Sequence, residues 1–66
     1  FLALRREAVR SLTDQIGPMA EALAVKMENA RGWNDLKPLL VIGAQILANT
    51  RGRAAAEAFA ARFIGT

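Results

Sequence analysis

Few side chains in this 66-residue chain could do chemistry. The hydroxyls and amines that could act as nucleophiles are Ser11, Thr13, Thr50, Thr66, Lys26 and Lys37. With no histidine, cysteine or tyrosine in the chain, no imidazole can activate any of them. Glu21 and Glu28 lie one heptad apart and share a helix face. Their axial separation of ~10 Å is too long for the close carboxylate pair of a retaining glycosidase. Metal ligands would have to be carboxylates alone, and these do not cluster in the sequence. No glycine-rich phosphate loop appears, and Gly52 stands alone. The chain therefore reads as non-enzymatic, with no catalytic residue, no metal site and no cofactor.

The chain is built instead around Pro38-Leu39-Leu40-Val41-Ile42-Gly43-Ala44-Gln45-Ile46-Leu47-Ala48, where Gln45 is the sole polar side chain. At helical spacing Leu36, Leu40, Ala44 and Leu47 share one face, Leu39, Ile42 and Ile46 another, and Val41 a third. The pattern spans about 35–48, longer than a typical strand, and this length selects helix. It is too short for the ~20 apolar residues of a membrane span. Asn34 or Asp35 offers an N-cap, with Pro38 expected in the first turn. A helix that is apolar nearly all round must be buried nearly all round. Each large aliphatic side chain contributes roughly 1.5–3 kcal/mol on burial. Two short neighbours cover about two faces, so the third invites another chain. A core this small is marginal without a disulfide, a metal or oligomerisation.

The first segment places Val9, Leu12, Ile16, Met19 and Leu23 on an alternation of three and four, giving one narrow apolar stripe. Gly17-Pro18 interrupts it, but the stripe continues. The expectation is one kinked helix over about 2–31. Gly32 is expected to end it in the left-handed conformation. Trp33 then reads as a lid over the corner between two helices, or as an aromatic anchor for a partner. Asn49-Thr50-Arg51-Gly52 reads as a turn, with Thr50 capping a last helix over about 53–63. That helix is alanine-rich, with Ala55, Ala56, Phe59 and Phe63 on its buried face. Its alanines are expected to cross closely over Gly43 and Ala44.

The fold class is thus all-α: a three-helix arrangement of a kinked first helix, a buried central helix and an alanine-rich closing helix, oligomeric in solution. The expected partner interface comprises Val9, Leu12, Ile16, Trp33, Leu39, Ile42 and Ile46. The partner is a second copy or another helical protein.

The net charge of +3 sits at the two ends. Arg5, Arg6 and Arg10 outnumber Glu7 near the start, and Arg51, Arg53 and Arg62 outnumber Glu57 near the finish. The second cluster permits an alternative, a small helix-turn-helix-like DNA-binding regulator with Ala48 to Gly52 as its turn. Arg51, Arg53 and Arg62 could then touch phosphates, yet the alanine-rich helix has little to read base edges. The interaction reading is therefore favoured over nucleic acid. The absence of cysteine is compatible with a cytoplasmic location, no signal-peptide order opens the chain, and a start at Phe1 reads as a piece of something longer.

Ile16-Gly17-Pro18-Met19-Ala20 with Leu23, then Trp33-Asn34-Asp35-Leu36 with Leu40, then Arg53-Ala54-Ala55-Ala56-Glu57-Ala58-Phe59 carry a resemblance. Over about residues 12–64 the chain resembles a small helical module at the C-terminal end of bacterial signalling proteins such as serine/threonine kinases and response regulators. Those modules carry an Ile-Gly-Pro-Ile-Ala-type helix start, a leucine-rich second helix and an alanine-rich final helix. The apolar run Leu39–Ile42 and the scarcity of basic residues after Pro18 differ from that pattern. The resemblance implies a regulatory accessory module and assigns no functional residue.

Overall fold

The computed structural model describes residues 1–65, and Thr66 lies outside them. Four α-helices and one 3-10 turn make up most of the described chain, and no strand occurs among these residues. Helix α1 spans Leu2–Ile16, a 3-10 turn follows at Gly17–Ala20, and α2 spans Glu21–Glu28. Helix α3 spans Trp33–Thr50 and α4 spans Arg53–Phe63. The molecule measures 29 × 27 × 17 Å.

The first segment is a hairpin rather than one kinked helix. Arg5 Nη1 donates to the Ala30 carbonyl oxygen at 2.8 Å. A helix continuous over those 25 positions would hold them ~37 Å apart. The reversal occurs at Gly17, whose φ of 74° and ψ of −141° suit glycine and strain any residue with a β-carbon. Pro18 then enters the first turn of the 3-10 segment, where its missing N–H costs little. The apolar stripe that runs unbroken through this point does not describe one helix face. In α1 the buried line is Ala8 and Leu12, with Leu4 and Ile16 packed against the core. Met19, a member of that stripe, and Leu2, one heptad before Val9, are 68% and 60% exposed.

Helix α3 begins at Trp33, two residues before the expected start, with Gly32 as an N-cap in extended backbone. Gly32 is therefore not the left-handed residue expected there. Pro38 lies inside the helix and not in its first turn. At the other end Thr50 belongs to α3 and bonds back to the Ile46 carbonyl at 2.8 Å, so it does not cap α4. Gly52 precedes α4, with φ of 99°.

One core joins the four helices. Leu12, Met27, Leu36, Leu40 and Leu47 are its largest fully buried side chains. Phe59 and Phe63 close it from α4, their rings 4.9 Å apart and tilted by 51°. The expected close crossing of α4 over Gly43 is not formed. A β-carbon on Gly43 would meet Leu12 and Leu23, so this glycine faces the α1–α2 hairpin. Ala44 instead shares the α3–α4 surface with Ala48, Ala56 and Ala60. Leu36, Leu40, Gly43 and Leu47 are the only buried positions of α3, so the helix is buried along one face. Val41 and Ile42 remain 39% and 44% exposed.

Candidate functional site

The hydroxyl and amine groups do not converge on one place. Ser11 accepts a hydrogen bond from Gln15 Nε2 at 3.0 Å, and Thr50 is occupied with the Ile46 carbonyl. Thr13 and the two lysines are exposed, and Thr66 lies outside the described residues. Among the described residues no polar or charged side chain is buried, and no three carboxylates gather within reach of one metal ion. A buried, pre-oriented polar group is what a catalytic constellation needs to shift its reactivity. The described chain offers apolar grooves along α2, α3 and α4, and a polar one where Glu7, Arg10, Ser11, Asp14 and Gln15 of α1 meet Arg62 of α4.

The first groove lies between α2 and α3. Leu39, Ile42 and Ile46 line it at intervals of three and four along α3. Met19, Ala22, Leu23 and Lys26 line it from the hairpin. Leu39 and Ile46 are half-buried against the core, whereas Ile42 and Met19 stand out into solvent. Lys26 is the one charged residue of the lining, and its stem can lie along the apolar floor with its ammonium in water. The structure thus brings together three of the expected interface residues.

It separates the other four. Leu12 is fully buried among this chain's own helices and is not open to a partner. The heptad spacing could not reveal this, because Leu12 belongs both to the stripe with Val9 and to the true core line with Ala8. Ile16 is half-buried against the core. Val9 lines a different groove, between α1 and α2. Trp33 opens α3 and is 39% exposed.

Met19, Ala22 and Lys26 were not expected beside Ile42. Their i, i+3, i+7 spacing is a readable signal, but the sequence reading places Met19 with Leu23 on the stripe of one long helix and leaves Ala22 out. A third surface, also unexpected, runs between α3 and α4 past Val41, Ala44, Ala48, Ala60 and Ile64.

The arginines of the DNA-binding alternative do not form one strip. Arg53 lies beside the α3–α4 surface and pairs with Glu57 at 2.9 Å. Arg62 lies nine residues on, about half a turn round the helix axis. It reaches Glu7 of α1 at 3.4 Å and stacks over Phe63 at 4.9 Å. Arg51 is exposed at the end of α3. Two of the three cations are thus held against this chain's own groups on opposite flanks of α4.

No helix among the described residues is long and apolar enough to cross a membrane. Compared with family profiles, curated proteins and solved structures, the chain finds no match in any of the three.

Proposed function

We propose that this chain is a non-enzymatic protein–protein interaction module that associates with a second copy of itself through the α2–α3 groove. The observation that supports this is the unshielded apolar circumference of α3, where Ile42 projects beside Met19, Leu39 and Ile46. Covering side chains of this size contributes roughly 1.5–3 kcal/mol each when burial is complete. A single core of this length gains little stability to spare, which favours a self-associating chain. The lining holds no carboxylate and a single amine, so two copies can meet there without burying an unpaired anion. The resemblance to helical modules of bacterial signalling proteins supports a regulatory setting in the cytoplasm.

Static light scattering of the wild type and of Ile42→Glu tests this reading. Ile42 is exposed in the isolated chain, so the substitution leaves the core intact. The expected result is a mass above one chain for the wild type and a lower mass for Ile42→Glu. Val41→Glu, on the opposite flank of α3, leaves the mass unchanged. A wild-type mass of one chain at high micromolar concentration contradicts the proposal, as does a mass unaffected by Ile42→Glu.

A further inference from the structure

The groove between α1 and α2 has rims of opposite character. The α1 rim carries Leu2, Arg6, Val9 and Thr13, spaced i, i+4, i+7, i+11 along one flank of the helix. The α2 rim carries Glu21, Ala24 and Glu28, spaced i, i+3, i+7. The hydrogen bond from Arg5 to the Ala30 carbonyl sets the level of one rim against the other. Arg6 and Glu28 therefore stand near one end of the groove, and Thr13 and Glu21 near the other, with Val9 and Ala24 between. Arg6, Glu21 and Glu28 are exposed, and none forms an ion pair among the described residues. One rim thus offers a guanidinium and a hydroxyl, and the other offers two carboxylates across an apolar floor.

From this we infer that the α1–α2 groove is a second self-association face, in which two copies pair about a two-fold axis running along the groove. Such an axis lays α1 of one copy on α2 of the other and keeps each residue at its own level. Arg6 then faces the second copy's carboxylate at position 28, Thr13 faces that at position 21, and Val9 packs on the alanine at position 24. Each contact occurs twice. An axis perpendicular to the helices would set α2 on α2 and bring carboxylate against carboxylate, so the charges select the parallel arrangement. This face is separate from the α2–α3 groove, and its occupancy does not depend on that reading.

Charge exchange tests the inference, and Ile42→Glu serves as background so that only this face is read. In sedimentation equilibrium the Ile42→Glu chain is expected to be a dimer at high micromolar concentration. Adding Arg6→Glu or Glu28→Arg makes each double variant at least tenfold weaker in self-association, by placing like charges opposite each other twice. Mixing the two double variants restores the dimer, because both cross-pairs are then attractive. An ion pair closed within one chain could not be repaired by mixing, so this step separates the two explanations. Circular dichroism confirms that the variants keep their helicity. A monomeric Ile42→Glu chain, or variants that fail to recover on mixing, overturns the inference. If the wild type still associates and only Ile42→Glu disperses it, the α2–α3 reading stands alone. If the charge variants disperse it and Ile42→Glu does not, the α1–α2 face stands alone.

Discussion

Gly43 and Leu12 touch without room for a methyl group between them: a β-carbon on Gly43 would lie 2.9 Å from Leu12 Cδ1 and 3.2 Å from Cδ2. Leu12 is fully buried and cannot swing into solvent. Helix α3 therefore lies against the α1–α2 hairpin at the one position of its apolar run that lacks a side chain. Gly43→Ala gains roughly 1 kcal/mol of helix propensity but forces overpacking that costs about 1–3 kcal/mol. The expected net is a loss of about 1 kcal/mol in urea unfolding. Leu12→Ala alone costs about 3 kcal/mol through the cavity it leaves. The double variant is less destabilised than the two losses added together, because the new methyl enters the space vacated. Simple additivity would show that the two residues are not in contact.

A second prediction concerns the clamp on the hairpin. Arg5 satisfies the carbonyl of Ala30, a residue only 5% exposed, just beyond the end of α2. Arg5→Met keeps the aliphatic stem and removes the donor, leaving that acceptor without its partner. A loss of about 1–2 kcal/mol is expected in urea unfolding. An unchanged midpoint would mean that the bond does not hold the hairpin together.

The turn at Gly17 supplies a third. No atom lies within 4 Å of a β-carbon built there, so any cost of Gly17→Ala comes from its backbone conformation. That cost is about 1–3 kcal/mol. Gly32 makes the contrast, since its backbone is extended and its surroundings are also open. Gly32→Asp supplies the N-cap oxygen that α3 lacks and is expected to stabilise the chain by a few tenths of a kcal/mol. Thermal unfolding of the two variants should move in opposite directions. Equal and small effects would exclude a strained reversal at Gly17.

The hairpin shows where sequence reading stops. Helical character, the turns near 31 and 51, and the apolar stripe Leu39, Ile42 and Ile46 are all written in local spacing. The fold-back at Gly17 is not, because Val9, Leu12, Ile16, Met19 and Leu23 keep helical spacing across a point where direction reverses. Leu12 belongs to two candidate stripes, and only packing against Gly43 chooses between them. Alanine compounds the ambiguity: Ala8, Ala20, Ala24 and Ala30 are buried core residues, yet their small side chains add little to an apolar pattern. The missed fold-back is also what hid Met19 and Lys26 as neighbours of Ile42.

DNA binding gives a fourth prediction. Arg53 and Arg62 project from opposite flanks of α4 and are engaged by Glu57 and Glu7. A duplex cannot meet both with the same face. Replacing Arg51, Arg53 and Arg62 by alanine should therefore weaken any low-salt association with duplex DNA no more than replacing Arg6, Arg10 and Arg31 does, since each triple change removes three positive charges from a chain of net charge +3. A salt dependence that loses a slope of about 0.9 for each arginine removed would instead place those residues on phosphates.

The account rests on α3 presenting more apolar surface than one chain covers. Sedimentation equilibrium of the Arg6→Glu chain, in which the α1–α2 face is silenced, over a wide dilution series measures this most directly. The expected result is a weight-average mass that starts near the 7.1 kDa of one chain at low concentration and climbs above it as concentration rises. A mass that stays at 7.1 kDa to high micromolar concentration would contradict the account.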